Sequence, residues 1–437
     1  MLRLPGSIVI LLLVLVLGAC VRTPPPRPNV VLISLDTAAA LHMGVYGYRR
    51  DTTPFLNSLA PDSVVFENAR SQSQHTTSSH YSMFTGLYPQ NHKVFARYDS
   101  DRYVRGAPLA TTIKTLTEQL RAAGYSTHFI GETHDNELDL HSGLERGFDS
   151  LTQANLSGTS LSEATEAMKA KLATLTDKPF FVFIHSYVAH VPYCAGTEFA
   201  KLFDPSLTQV NELTCDAVKQ RASNKHHSSP VHFYEFKEAF EEQFHLDQNS
   251  DRVHYEALYD GGIRQADALV KTVYDELKDR HQLDNTIFIV TSDHGEAFNE
   301  HGQYAHVSAF REILNVPLIM KVPDQKPLRV STEVLDIDIT PTILDFLKLK
   351  PASPVDGRSL LPLLAGRARA PQGFRYAMTY DEGAIWDDDW KLVVQPSGKT
   401  LLFESKLDPF ERRDVSAEHL DITKQMKLSF EGARSSR

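Results

Sequence analysis

The sequence predicts an α/β protein: a mostly parallel sheet sandwiched by helices, followed by a small C-terminal α+β subdomain. Three observations carry this. Apolar runs of strand length recur along the chain, among them PNVVLISLD, KPFFVFIHSYVAHVPY and DNTIFIVTSDHGE. Segments with helical spacing stand between them, and strands alternating with helices argue for a parallel sheet with helices on both faces. From about residue 370 the pattern changes to short strands, WKLVV and TLLFE, then DPFERRD and a terminal helix.

In chain order, MLRLPGSIVILLLVLVLGAC comes first, with a basic residue at Arg3 and an apolar run from Ile8 to Leu17. That run is too short to span a bilayer and suits a secretory signal covering residues 1–20. Leu17-Gly18-Ala19-Cys20 resembles the bacterial lipobox, in which the cysteine is acylated and becomes the mature N-terminus. Residue 21 is Val rather than Asp, which points to an outer-membrane destination in a double-membrane bacterium. VRTPPPRP, residues 21–28, reads as a stiff spacer between membrane and domain.

A catalytic domain is expected over residues 29–369. Its first strand stops on Asp36. TTIKTLTEQLRAAG places Ile113, Leu116, Leu120 and Ala123 at helical spacing, with Gly124 as the stop. YSTHFIGE is a strand, and KPFFVFIHSYVAHVPY is another that leads to His185 and His190. Residues from about 196 to 250 are polar and weakly periodic, an inserted loop region. Its His226, His227 and His232 read as a solvated histidine-rich loop. A helix is expected over 254–280. The next strand stops on Asp293 and His294; VPLIMKV is a further strand, and ITPTILDFLKL is a helix with Pro341 in its first turn. Residues 370–437 form the C-terminal subdomain. Cys194 and Cys215 are the only cysteines besides Cys20, and outside the cytoplasm such a pair is expected to be oxidised.

Of the 437 residues, 42% are hydrophobic and 23% charged, the composition of an ordinary globular protein. A net charge of -10 argues against a nucleic-acid partner. It does not argue against a small anionic substrate, because a bound metal can overturn the local sign. In parallel sheets, ligands bind beyond the carboxyl ends of the strands. Asp36, Asp293 and His294 therefore share one rim, and carboxylates with an imidazole suit a divalent metal ion. The hydroxyl-rich stretch SQSQHTTSSHYSMFTGLYP, Ser71 to Pro89, adds candidate nucleophiles.

With these residues in view, the chain resembles the sulfatase family of the alkaline-phosphatase superfamily along nearly all its length. PNVVLISLD with HMGVYGYRRDTTPFLNSLA resembles the family's opening strand and loop, and HTTSSHYSMFTGLYP its nucleophile segment. GYSTHFIGETH, FFVFIHSYVAHVPY, TSDHGEAFNEHGQYAH, VDGRSLLPLL and LDPFERRD follow in the family's order. A formylglycine sulfatase has Cys-x-Pro-x-Arg, or Ser in the Cys place, ahead of Thr-Gly. Counting back from Thr85-Gly86, the Cys place is Thr76, the Pro place Ser78 and the Arg place His80. Threonine cannot become formylglycine. The resemblance then implies the Thr76 hydroxyl itself as nucleophile, as in the superfamily's threonine-type phosphodiesterases and phosphoethanolamine transferases. It implies Asp36, Thr76, Asp293 and His294 as ligands of one divalent ion.

Other departures matter. Asp36-Thr37 replaces the common Asp-Asp, so Zn²⁺ or Mn²⁺ is favoured over Ca²⁺, which stays possible. Gly131-Glu132-Thr133-His134 stands where Gly-Lys-Trp-His is usual, and His306 takes the place of a second lysine. His190 retains the histidine that resembles a leaving-group acid. His80 and His190 are thus expected as catalytic groups, and His134 and His306 as donors to the transferred group. His185 and His301 match weaker positions and read as structural. The implied activity is metal-dependent cleavage of a small anionic ester, of phosphate type or a sulfate, through a covalent Thr76 intermediate. An arylsulfatase-like sulfuric ester hydrolase is the alternative on the same fold. An inactive, lipid-anchored binding protein is the alternative from another class, and the four retained metal-site residues argue against it.

Overall fold

The structure, a computed structural model, describes residues 27–99, 102–105, 107–132, 138, 142–154, 156, 161–175, 179–191, 193, 197–207, 251–368, 373–379 and 382–435. Cys20, Cys194, Cys215, His134, His226, His227 and His232 lie outside these residues, as do the leader and most of the spacer.

Eight strands make the central sheet: β1 (Asn29–Leu35), β2 (Val64–Phe66), β3 (Ser126–Gly131), β4 (Ser150–Gln153), β5 (Phe180–Ser186), β6 (Thr286–Thr291), β7 (Leu318–Lys321) and β8 (Leu328–Val330). Their order across the sheet is β8-β2-β7-β6-β1-β5-β3-β4. All neighbours run parallel except β7, which is antiparallel to both β2 and β6.

The continuous apolar runs of β1, β5 and β6 follow from burial on both faces; every residue of the three strands is buried. Successive side chains point to opposite faces of a strand. Val31, Ile33 and Leu35 accordingly pack in one cluster with Leu258, Ile263, Val270 and Val273. Val30 and Leu32 pack in another with Tyr81, Phe84, Leu116, Leu120, Ile339 and Ile343. Burying each such aliphatic side chain contributes about 1.5–3 kcal/mol. A polar residue is therefore excluded until the strand reaches the rim. The covering helices are α1 (Thr76–Thr85), α2 (Leu116–Ala122), α3 (Leu161–Leu172), α4 (Asp251–Asp279) and α5 (Ile339–Phe346).

One boundary differs from the periodicity reading. Ile113 lies before α2, not in it. Thr115 and Glu118 form a capping box, Thr115 Oγ1 accepting from Glu118 N at 3.1 Å and Glu118 accepting from Thr115 N at 3.0 Å. Reciprocal capping satisfies two orphan donors and sets the helix start at Leu116.

The C-terminal strands β9 (Arg375–Met378), β10 (Gly383–Trp386), β11 (Trp390–Val394) and β12 (Thr400–Glu404) form an antiparallel sheet in that order. One face packs Trp386, Val393 and Phe403 against Phe310, Leu314 and Ile337 of the main body. The other packs Ile385, Leu392 and Leu402 against Met426 and Phe430 of α6 (Leu420–Ser435). No helix among the described residues is long and apolar enough to cross a membrane.

Candidate active site

Parallel pairing brings three strand ends together. β1 pairs with β5 on one side and β6 on the other, with Ser34 level with both His185 and Thr291. Asp36 follows β1, His185 sits near the end of β5, and Asp293 and His294 follow β6. All four side chains are fully buried.

α1 delivers the hydroxyl. Its first residue is Thr76, preceded by His75 in an extended conformation. The first-turn N–H groups of a helix lack intrahelical partners and favour an anion beside them. Thr76 Oγ1 lies 3.2 Å from Asp36 Oδ2 and 3.4 Å from His294 Nε2. Ser79, one turn on, donates to the Asp293 carbonyl at 2.7 Å and lies 3.1 Å from Ser71 Oγ, which ties the helix to the loop that carries Asp293 and His294.

The tautomer of His294 follows from its partners. Nδ1 is 3.1 Å from the Gly295 carbonyl, which can only accept, so Nδ1 carries the hydrogen and Nε2 presents a lone pair. Asp293 Oδ1 accepts from His294 N at 2.9 Å and Thr37 N at 3.2 Å. Its Oδ2 is buried and accepts no hydrogen bond among the described residues. It lies 3.4 Å from His294 Nε2 and 3.8 Å from His80 Nδ1. Burial pushes the Asp293 carboxyl up, but His294, His80 and His185 outweigh it and hold the group well below the usual carboxylate range.

This donor set fits a divalent cation. Ligand atoms of Asp36, Asp293 and His294 lie within 4.8 Å of one another. A buried carboxylate oxygen without a donor costs several kcal/mol unless a cation meets it. His185 gives a second indication. Its Nδ1 is 3.2 Å from the Glu132 carbonyl and its Nε2 3.2 Å from Asp36 Oδ2. Burial lowers its pKa, so the neutral ring has one N–H for two acceptors. A cation on the Asp36 edge resolves that contact. Mixed oxygen and imidazole donors suit Zn²⁺ or Mn²⁺ better than Ca²⁺.

The structure redistributes the histidines. His80 was expected to touch the transferred group, but it lies behind Thr76, fully buried. Its Nδ1 donates to the Thr76 carbonyl at 2.8 Å, and its Nε2 accepts from Ser34 Oγ at 3.0 Å. Both nitrogens are taken, so His80 braces the start of α1. His185, read as structural, belongs to the site. His190 and His306 lie side by side, with ring centroids 5.2 Å apart; the His306 ring is 4.6 Å from that of His294. His190 Nδ1 donates to the Val191 carbonyl at 2.7 Å. Glu296, buried and two residues after His294, holds His306 Nδ1 at 3.1 Å. His301 stacks on Phe310 and pairs with Glu312 instead.

Thr37, in the place of the common second aspartate, adopts φ 56, and its hydroxyl donates to the Asp36 carbonyl at 2.7 Å. A β-branched residue there is strained. Tyr259 holds it by donating to its carbonyl at 2.6 Å. Sequence reasoning read His185 as structural and missed Glu296. The signal for His185 was the one used for Asp36: a titratable residue closing a buried parallel strand.

Buried imidazoles also predict acid lability. Burial, above all, pushes His75 and His92 down to about 3 and His80 and His294 down to about 4. Unfolded histidine titrates near 6.5. Between these values the unfolded chain binds more protons than the folded one, so stability falls as pH drops. The slope is up to about 1.4 kcal/mol per pH unit for each group. Thermal melts of metal-free protein should show a steep loss from pH 6.5 to 4; a flat profile over that window contradicts the neutral, buried assignment.

Comparison with known proteins agrees with this fold. Residues 28–349 match the family model of the sulfatases. The chain belongs to the sulfatase family. A second model, the C-terminal region of N-sulphoglucosamine sulphohydrolase, matches residues 299–435. Among relatives, arylsulfatase K of Gallus gallus is 25% identical over 464 residues, covering 94% of this chain and 84% of that protein. Two solved structures share the fold. The phosphonate monoester hydrolase of Agrobacterium radiobacter has a TM-score of 0.70 at 20% identity, covering 94% of this chain and 96% of its own. A protein solved with its substrate D-glucosamine-2-N,6-O-disulfate has a TM-score of 0.72 at 19% identity, covering 94% and 98%. This sulfatase-family chain is an ester-hydrolysing enzyme with a possible metal-binding cluster.

Proposed function

We propose that the enzyme cleaves a phosphate-type ester (monoester, diester or phosphonate) through a covalent intermediate on Thr76. The observation that carries the proposal is a threonine hydroxyl 3.2 Å from Asp36 Oδ2 and 3.4 Å from His294 Nε2, at a helix N-terminus. Asp36, Thr76, Asp293 and His294 would hold a divalent cation, Zn²⁺ or Mn²⁺ by donor type, which would lower the pKa of that hydroxyl and offset the charge of the two carboxylates.

The chain's own groups do the rest. Thr76 gives up its hydroxyl proton as Oγ bonds to phosphorus, the bond to the ester oxygen breaks, and the leaving oxygen takes up one proton, so the step is proton-neutral overall. The first-turn N–H groups of α1 meet the non-bridging oxygens. His190 and His306 lie side by side and, as imidazolium, donate from Nε2 to the leaving oxygen or a non-bridging oxygen, with Glu296 fixing the ring of His306 at 3.1 Å. Water or another hydroxyl then attacks phosphorus and Thr76 Oγ leaves, so the same site supports a hydrolase or a transferase.

Chemistry favours phosphorus over sulfur. A formylglycine sulfate expels sulfate by collapse of its geminal diol; a sulfothreonine has no second hydroxyl and must be attacked at sulfur. Sulfuric ester hydrolysis is the second reading, favoured by the names of the relatives. The test is turnover of paired aryl phosphate monoester, phosphodiester, phosphonate monoester and sulfate substrates by one preparation of defined metal content. Sulfate turnover above all three phosphorus substrates overturns the proposal.

We also propose attachment to the bacterial cell envelope through acylated Cys20. Several acyl chains anchor firmly, whereas one binds only marginally. Cys20→Ser should release the protein or block its processing. A variant that still fractionates with membranes after a high-salt wash contradicts the anchor.

A further inference from the structure

We propose that Glu411, in the C-terminal subdomain, is a positioning residue for the metal loop and the nucleophile helix, acting through the short turn Arg311–Leu314. The role rests on the metal site proposed above. Two carbonyls of this turn hold the two halves of the active site. The Ile313 carbonyl accepts from Gly295 N at 2.6 Å, one residue beyond His294. The Leu314 carbonyl accepts from Ser71 N at 2.9 Å. Ser71 in turn lies 3.1 Å from Ser79 of α1, and Ser79 donates to the Asp293 carbonyl. The packing is close: a Cβ on Gly295 would come within 2.2 Å of the Glu312 carbonyl oxygen.

The turn is only four residues long, so it cannot fix its own position. Besides the pairing of Asn315–Val316 with Ala69–Arg70 that follows it, its support comes from the C-terminal side. Glu411 Oε2 accepts from Arg311 N at 3.0 Å, capping the turn, and Glu411 Oε1 accepts from Lys391 Nζ of β11 at 2.7 Å. The Glu411 and Lys391 side chains are each only 6% exposed. Arg311 also donates to the Pro409 carbonyl at 2.7 Å. Glu411 itself adopts φ 56, a left-handed conformation that a non-glycine residue keeps only when its surroundings impose it. A buried, strained, doubly bonded carboxylate thus carries a rigid path from β11 to both Gly295 and Ser71. The C-terminal subdomain completes the active site without contributing a residue that touches the metal.

The test separates the cap from the ion pair. On a Lys391→Met background, Glu411→Gln keeps an acceptor for Arg311 N, whereas Glu411→Leu removes it; neither leaves a buried charge unpaired. Metal-free full-length protein is titrated with Mn²⁺ alone by calorimetry, and melting temperatures are recorded. The Leu double variant should bind Mn²⁺ about tenfold or more weakly than the Gln double variant, the range seen when a support behind a metal ligand is lost. Met426→Ala, which loosens α6 without touching Glu411, serves as a stability control and should bind as wild type does. If the Leu variant does not fold, Glu411→Asp, one methylene too short to reach both partners, should show the weaker binding. Equal affinity in the Gln and Leu variants, or in Glu411→Asp and wild type where that pair is read, overturns the inference. Wild-type protein that binds no Mn²⁺ overturns the metal site itself, a distinguishable outcome.

Discussion

Thr76→Ala is expected to lower turnover by at least ~10³, a loss of about 4 kcal/mol of transition-state stabilisation. Three features make this effect large. The Thr76 hydroxyl is the side-chain hydroxyl within reach of both Asp36 and His294 among the described contacts. It opens α1, so its position is set by backbone that His80 braces through the Thr76 carbonyl at 2.8 Å. Alanine is also a good helix former, so the substitution removes chemistry without disturbing the helix. Thr76→Ser should keep part of the activity, since the hydroxyl survives and only the methyl that restricts its rotamer is lost. Thr77→Ala is the neighbouring control and should be mild by comparison. Ser79→Ala is a different matter, because Ser79 holds the Asp293 carbonyl; its loss should act through metal binding. Mass spectrometry of protein trapped with a slow substrate should place the added group on Thr76. An adduct on Ser78 or Ser79 would falsify the register that places Thr76 in the nucleophile position.

The legible parts of this protein were those that short stretches of sequence decide. β1, β5 and β6 were visible because strands buried on both faces must be apolar until the rim. Asp36, Asp293 and His294 were visible because each interrupts such a run at its end. The placement of His80 was not legible. Its place in the motif is that of the family's arginine, but the imidazole there hydrogen-bonds Ser34 and the Thr76 carbonyl. His185 was passed over because its partner Asp36 is 149 residues away, and strand pairing alone brings the two to 3.2 Å. The Lys391–Glu411 link to the 311–314 turn has no local signature at all. It depends on how one sheet packs against another, and periodicity carries no such information. The start of α2 was misjudged for the opposite reason: a local capping box overrode an apolar spacing that extended past it.

Asp293→Ala is expected to abolish metal binding and activity together. Asp293 is the one residue that serves the site with both oxygens. Oδ2 faces the imidazoles of His294 and His80 without a donor among the described residues, and Oδ1 accepts from the backbone of His294 and Thr37. Alanine therefore removes a charged ligand and frees the loop that aims His294. Asp293→Asn separates these effects. The amide oxygen can still accept from the two N–H groups, while the charge that binds the cation is gone. Asp293→Asn gives up the favourable field of the surrounding imidazoles, so the metal-free variant should melt below metal-free wild type, yet still in one cooperative transition. That outcome separates loss of a ligand from loss of the fold. His294→Ala should weaken binding without abolishing it, since two carboxylates and the hydroxyl remain, and should shift preference from Zn²⁺ or Mn²⁺ toward harder ions. Elemental analysis after dialysis against metal-free buffer is the measurement. Full occupancy in both Asp293→Ala and His294→Ala would mean that the metal is held elsewhere, and the mechanism assigned to Thr76 would lose its source of activation.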